Sequence, residues 1–357
     1  MNKKLIALAI AGACVAPAAM AQTANPVTLY GRVYVTLESV EAKANGSTPA
    51  VNRRTRVEDQ SSLFGVRGTE DLGGSLKAFF QLETAFRPDQ NTTTFAARNS
   101  GVGLQGGWGS ILLGRWDTPW KVATIAVDPF GDLTISGITG TLSDGGNFDR
   151  REQNVIQYWS PSWGGFAFRL MRTADEGKGC ATSNSVTTCV DPYSQGANVT
   201  YTGGPVYVFF AYEEHKDQLG ATATSGVEEK GSAAGGTFSF GPVKLGAQYQ
   251  EIKKDGTGRT KQKNWMGNIV WTAGNNQFNY QYMNSKDGGK GTDATQPDCD
   301  SNSLGYQYNF TRRTFFLAQY TAVKNNAASS CNFGANRLAA SAGQDVNGAS
   351  LGIRHVF

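Results

Sequence analysis

The segment between Arg115 and Arg151 carries charges and apolar side chains in a pattern that could control the passage of ions. It has an arginine at each end and shows neither a helical period nor a clean alternation. Irregular connections longer than roughly 15 residues are usually functional or disordered, and this one is too apolar for a solvated linker. We predict that residues 116–150 form a loop that packs through its apolar side and narrows a channel with its carboxylates. The aspartates are Asp117, Asp128, Asp132, Asp144 and Asp149, and the apolar residues include Trp116, Trp120, Val127, Phe130 and Ile138.

The elements that must hold this loop are β-strands. The mature chain repeats a unit of about ten residues, in which apolar and polar side chains alternate before a turn. One strand face is therefore apolar, while glutamine and asparagine stand on the other. The clearest examples are Leu29-Gly31-Val33-Val35-Leu37, Val243-Leu245-Ala247-Tyr249 and Leu304-Tyr306-Tyr308-Phe310.

Short turns alternate with longer polar connections, which the sequence places at residues 39–60 and 214–231 among others. This alternation gives about sixteen strands, an even number as closed membrane barrels require. Aromatic residues cluster where strands meet turns, as in an interfacial girdle. A soluble β-sandwich would instead turn its polar face outward. The sequence therefore predicts an all-β, transmembrane antiparallel β-barrel.

The N-terminus is typical of a secretory signal peptide. Residues 1–21 contain Lys3-Lys4, a short apolar core and Ala19-Met20-Ala21. The apolar run is too short to cross a bilayer of about 30 Å. We predict cleavage before Gln22 and a single barrel domain over 22–357. Loss of the two lysines lowers the formal net charge of +4 by two, too mild a balance to predict a nucleic-acid partner.

The mature chain has cysteines at positions 180, 189, 299 and 331. An exported protein meets an oxidising compartment, where four cysteines allow three pairings. We predict a local Cys180–Cys189 disulfide and a Cys299–Cys331 disulfide between loops. A metal site is disfavoured because no histidine or Cys-x-x-Cys accompanies them.

Several motifs together resemble the general porins of Gram-negative bacteria, particularly the β-proteobacterial group. They are Leu29-Tyr30-Gly31-Arg32, the run from Phe64 to Gly73, Leu113-Gly114-Arg115, Val127-Asp128-Pro129-Phe130-Gly131-Asp132 and the terminal Gly352-Ile353-Arg354-His355-Val356-Phe357. The resemblance implies a homotrimer of sixteen-stranded outer-membrane barrels, with a third extracellular loop folded inward. It also implies contact with membrane lipid and lipopolysaccharide, and recognition of Phe357 by the outer-membrane assembly machinery.

The same resemblance implies a pore constriction. Wall cations at Arg32, Lys77, Arg115 and Arg151 would face Asp128 and Asp132 on the loop. Family members usually carry an arginine just before the Phe-Gly of the second strand, where this chain has Leu63. The positive side of the constriction is therefore expected to be thinner than usual, unless Arg53, Arg54 or Arg56 reaches in. We therefore expect a general diffusion porin with weak anion selectivity.

Other functions have weaker support in the sequence. Gly101 to Gly106 matches a dinucleotide fingerprint by letters alone, and no helix follows it. His215 and His355 lack a visible triad, so no enzyme is predicted. A selective channel with an aromatic track, and a plugged barrel, remain alternatives; no cofactor is predicted, and a bound calcium ion is not deducible. The track would use Trp116, Trp120, Tyr30 and Tyr34.

Overall fold

The computed structural model describes residues 27–44, 50–131, 134–142, 147–174, 177–183, 186–219, 222–255, 260–287 and 298–357. The predicted signal peptide lies outside these ranges. No helix among the described residues is long and apolar enough to cross a membrane. The strands are β1 Thr28–Ala42, β2 Val51–Asp59, β3 Leu63–Gly73, β4 Leu76–Arg87, β5 Thr92–Thr94, β6 Ser100–Gly106, β7 Gly109–Asp117, β8 Arg151–Trp159, β9 Phe166–Thr173, β10 Gly179–Ser183, β11 Val186–Val190, β12 Tyr193–Gly203, β13 Val206–Leu219, β14 Thr222–Phe240, β15 Val243–Asp255, β16 Thr260–Ala273, β17 Asn276–Asp287, β18 Asp298–Asn309, β19 Thr314–Asn325 and β20 Val346–Val356.

These strands form a closed antiparallel barrel of sixteen strands. β2 and β3 are the two halves of one barrel strand, because both pair with β1 on either side of a break at residues 60–62. β5 is a short addition to β4, and β10–β11 is a separate hairpin. β1 pairs with β20 from Ala42↔Val346 to Arg32↔Val356, which closes the barrel. The predicted fold class is confirmed.

The two faces of each strand differ as the alternation predicts. In β1 the outward Leu29 and Leu37 are exposed, whereas the inward Thr36 and Glu38 are buried. In β17 the inward Gln281 is buried, while the neighbouring Tyr280 faces outward. Exposed apolar side chains thus cover the outside, and polar groups face the interior. This is the opposite of a soluble sandwich and suits lipid outside and water inside.

Two of the predicted long connections are largely strand. β1 continues to Ala42, and β13 and β14 together cover most of residues 214–231. These strand ends are polar, and polar segments of this kind predict loops. Their charged residues nevertheless pair across the strands: His215, for example, lies between Glu213 and Glu229. Pairing of this kind lets a charged sequence stay in the sheet.

Both predicted disulfides are present. Cys180 and Cys189 face each other across the β10–β11 hairpin. Cys299, at the start of β18, is bonded to Cys331 in the connection between β19 and β20.

Candidate functional site: loop and pore wall

The connection from β7 to β8, residues 118–150, is called the long loop below. It begins with helix α1, Pro119–Ile125. Thr118 caps the helix because its Oγ1 accepts a hydrogen bond from Lys121 N at 3.2 Å, and Pro119 suits the first helical turn, where its missing N–H costs nothing. A 3-10 turn, Ile138–Gly140, follows later in the loop. The start of the loop is therefore ordered by its own sequence.

The long loop is held against the inner face of the barrel. Inward amide side chains on three different strands donate hydrogen bonds to its backbone carbonyls, and Tyr207 Oη donates to Ala123 O at 3.1 Å. Buried carbonyls need such partners, so the loop and the wall satisfy each other. The pairs are Asn198 Nδ2 to Pro119 O at 2.6 Å, Asn268 Nδ2 to Val127 O at 2.9 Å, and Gln281 Nε2 to Ser136 O at 3.0 Å.

Glycines on the wall make room for aromatic side chains of the loop. A Cβ added at Gly231 would lie 2.6 Å from the Phe148 ring and 2.9 Å from that of Trp120. The ring of Phe130 lies in the same way against Gly305. Because glycine has no side chain, these rings approach the wall backbone closely, and the packing fixes where the loop lies.

A buried charged cluster holds the end of the long loop. His215 Nε2 is 2.9 Å from Glu213 Oε1, and His215 Nδ1 is 3.1 Å from Glu229 Oε2. The ring of Phe148 stacks on His215 with centroids 4.6 Å apart. Ligand atoms of Glu152, Glu213 and His215 lie within 4.8 Å of one another.

Cations offset the charge of these acids. Arg150 forms an ion pair with Glu152, and Lys254 Nζ lies 3.7 Å from Glu229 Oε1. Within the loop itself, Lys121 Nζ is 3.1 Å from Asp149 Oδ1. Buried carboxylates persist only when they are paired in this way.

Two of the predicted wall arginines lie where the long loop meets the barrel. Arg151 Nε is 3.0 Å from Asp117 Oδ1 and donates to Asn99 Oδ1 at 2.8 Å. Arg115 Nε donates to the carbonyl of Ala97 at 2.8 Å. The structure therefore brings Arg115 and Arg151 to the same part of the wall.

The other predicted wall cations lie apart from them. Arg32 Nε donates to Ser61 O at 2.9 Å, and Arg32 pairs across the strands with Leu63. Lys77 is exposed near the start of β4, beside the short turn at residues 74–75. The part of Lys77 in a constriction therefore stays a prediction.

Asp128 has a structural contact that the sequence did not indicate. Its carboxylate accepts hydrogen bonds from the backbone N–H groups of Phe130, at 2.9 Å, and Ile138, at 3.1 Å. It thereby joins two parts of the long loop. Asp132, the second predicted loop acid, lies outside the described residues.

The wall also carries ion pairs that the prediction missed. Arg98 Nε lies 2.5 Å from Glu83 Oε1, and Tyr30 Oη donates to Glu83 Oε2 at 3.2 Å. Arg56, named only as a residue that could reach in, is 2.7 Å from the inward Glu38. Alternation along β1 marks Glu38 as inward, whereas nothing in the sequence pairs Arg98 with Glu83.

The predicted aromatic track is largely inaccessible. Trp120, on helix α1 of the long loop, is completely buried against the wall, and Tyr34 is 5% exposed. Trp116 packs against Trp159 with centroids 5.3 Å apart. Trp120 and Tyr34 thus serve packing, and any aromatic surface in the pore must come from other residues.

A closed barrel with an apolar outside, a polar inside and a loop across its inner wall defines an outer-membrane diffusion channel. The chain belongs to the Gram-negative porin family, whose sequence profile matches residues 6–328. It is an outer-membrane general diffusion porin.

Individual relatives agree with this assignment. Outer membrane porin protein 32 of Delftia acidovorans is 32% identical over 372 residues, covering 100% of both chains. Major outer membrane protein P.IB of Neisseria gonorrhoeae is 28% identical over 334 residues, covering 89% of this chain and 92% of that protein. The solved anion-selective porin from Comamonas acidovorans superposes with a TM-score of 0.76 at 26% identity, covering 93% of this chain and 100% of that one.

Proposed function

We propose that the long loop is the constriction of the pore, and that it sets the size of the ions and small hydrophilic solutes that pass. The supporting observation is the set of amide hydrogen bonds from β12, β16 and β17 to loop carbonyls. A loop attached to strands so far around the barrel occupies part of its cross-section. It lies against β12 to β20 and, through Ile135, packs beside Val40 of β1, and it leaves the side formed by β3 to β8 for permeation.

We further propose a weak preference for anions. The carboxylates of Glu83 and Asp117 offset the charges of Arg98 and Arg151, so these pairs add little net charge. Arg115 donates to a backbone carbonyl, and among the residues that the structure describes no carboxylate contacts its guanidinium directly. In a narrow pore such charges are poorly screened and favour anions.

Liposome swelling tests whether the long loop sets the size of the solutes that pass. Liposomes that contain the porin are placed in solutions of neutral sugars of increasing size, and the rate of swelling is measured. Replacing Asn198, Asn268 and Gln281 together by alanine removes the amide attachments, so we expect larger sugars to enter. Gln307→Ala is the matched control, because Gln307 Nε2 donates to Asn309 on its own strand and not to the loop. An unchanged sugar cutoff in the folded triple variant would exclude the loop as the constriction.

A homotrimer is the proposed assembly, as in the general porins that the sequence resembles. The connection between β4 and β6 folds over the outside of the barrel, where Ala96 N donates to Thr84 Oγ1 at 3.2 Å. This covers Thr84 and leaves Phe95 77% exposed. Such a side chain suits burial against a neighbouring subunit. We expect Phe95→Ser to lower the trimer fraction in native mass spectrometry, whereas Phe240→Ser, in the turn-side aromatic girdle, leaves it unchanged.

Lipopolysaccharide is the proposed lipid partner at the end of the barrel that carries the long connections between strands. Outward lysines surround Glu251 there: Lys253 Nζ is 3.2 Å and Lys261 Nζ 3.0 Å from its carboxylate, and Lys263 pairs with it across the strands. The excess of positive charge suits the phosphates of the lipid. Replacing the three lysines by glutamine should lower the lipopolysaccharide retained per purified barrel. Lys244→Gln, near the turn after β14, is the control.

A further inference from the structure

The pore contains an aromatic wall that the constriction does not explain. Trp159 packs with Trp116, and Phe79 stacks on Trp159 with centroids 6.1 Å apart. A Cβ added at Gly103 would lie 2.5 Å from Phe79 Cζ, so this glycine creates the space for the ring. Trp159 and Phe79 are partly exposed on the inner face. Aromatic rings in a water-filled pore are costly unless they contact something.

The orientation of Trp159 is fixed by hydrogen bonds. Its Nε1 donates to Gln157 Oε1 at 2.9 Å, and Gln157 Nε2 donates to the carbonyl of Asp117 at 2.9 Å. Trp159 is therefore tied to the residue from which the long loop departs. A rigid aromatic face loses little entropy when a ligand stacks on it.

Two cavities share this wall. One has a volume of about 410 Å³ and is lined by Phe79, Trp159 and Arg67. The other has a volume of about 460 Å³ and is lined by Trp159, Arg169 and the Val122 side of helix α1. Each is large enough for a small organic ligand. The second lies between helix α1 of the loop and the wall formed by β8, β9 and β12.

The cations at these cavities are held by aromatic rings. The Cζ of Arg169 lies 5.0 Å from the ring centroid of Trp159, and the Cζ of Arg67 lies 5.0 Å from that of Tyr30. Within the described parts of the chain, neither guanidinium has a hydrogen bond or an ion pair with a carboxylate. Arg98 and Arg151, by contrast, are both paired. A guanidinium that is positioned but unpaired can bind a ligand carboxylate through two parallel hydrogen bonds.

We propose that this part of the pore binds planar aromatic carboxylates during their passage. The ring of the ligand stacks on Trp159 and Phe79, and its carboxylate pairs with Arg169, with Arg67 serving the adjoining cavity. The proposal rests on the proposed anion-permeable pore and adds a preferred class of anion. Aliphatic acids of equal charge gain the ion pair but lose the stacking.

Single-channel recording of the full-length porin in potassium chloride tests this. Benzoate and cyclohexanecarboxylate have the same charge and carbon number, but only benzoate is planar and aromatic. We expect benzoate to reduce the current at about fivefold lower concentration, the ratio that one aromatic contact provides. Equal concentrations for the two acids in the wild-type channel would overturn the proposal.

Variants separate the two contacts. Trp159→Leu should abolish the preference for benzoate, and Arg169→Gln should weaken block by both acids, while Arg169→Lys retains part of it. Arg172→Gln is the matched control, since Arg172 lies on the same strand with its side chain outward over Tyr193. Block unchanged by Arg169→Gln would contradict the proposal.

The outcome also separates this proposal from the proposed function. A channel that conducts and prefers anions in plain salt, yet treats both acids alike, contradicts only the aromatic site. A channel without anion preference contradicts the proposed function itself.

Discussion

Asp117 Oδ1 lies 3.0 Å from Arg151 Nε, and these two residues are the last of β7 and the first of β8. The long loop therefore leaves and re-enters the barrel wall at one ion pair. Asn99 bonds to both partners, because its Nδ2 donates to Asp117 Oδ2 at 2.7 Å and its Oδ1 accepts from Arg151. The ends of the loop are clamped, while its middle is held by the opposite wall.

Adding a side chain at a wall glycine that the long loop packs against should loosen the loop. Gly231→Val places side-chain atoms where Phe148 and Trp120 now pack, so the loop must move away from β14. We expect a changed single-channel conductance and greater current noise in the folded variant. Gly267→Val is the control, because a Cβ at Gly267 meets nothing within 4 Å. Equal recordings from both variants would contradict the proposed docking.

Removing His215 should destabilise the barrel. His215→Leu removes the buried partner that Glu213 and Glu229 share and leaves Glu229 with only the more distant Lys254 among its described cations, and breaking a buried ion pair costs about 3–5 kcal/mol. We expect the variant barrel to change from its folded to its unfolded gel mobility at a lower temperature than the wild type. Adding Glu213→Gln and Glu229→Gln should recover much of the loss. A single variant as stable as the wild type would show that the cluster does not hold the fold.

Phe357 should be required for assembly. Phe357 N donates to Gly31 O at 3.0 Å, and Gly31 N donates to Phe357 O at 3.1 Å. The ring of Phe357 lies over Gly31. Phe357→Ala exposes the seam between β1 and β20 and removes the proposed signal for the assembly machinery. We expect less heat-modifiable barrel in the outer membrane. Phe310→Ala, at a turn of the same girdle, should assemble normally, and equal yields would refute the role.

Much of the fold could be predicted from the sequence because lipid and water impose a period of two on every strand. Leu29 and Leu37 are exposed and Thr36 is buried, as the alternation requires. Strand ends beyond the membrane lack this contrast, so the continuation of β13 past residue 214 was missed. In that part of the strand the inward position is held by His215 and its acidic partners, and the strand continues through their pairing with β14.

The site was less predictable because alternation gives a face but not a height or a partner. Lys77 lies at the turn-side end of β4, far along the strand from Arg87 at its other end. Arg98 and Glu83 form their ion pair at a sequence separation of 15, across an irregular connection. Asp128 folds back onto its own loop, and a sequence does not distinguish such an aspartate from one that faces a pore.

The zero-current potential in a salt gradient tests the central claim most directly. If the clamp between Arg151 and Asp117 borders the permeation path, each of its two charges acts on passing ions, and the wild-type potential lies slightly on the anion side because of Arg115. Arg151→Gln should then shift it toward cations, Asp117→Asn should shift it toward anions, and the outward-facing Arg172→Gln should leave it unchanged. The absence of opposite shifts in folded variants would contradict a charged, loop-bordered constriction at this position.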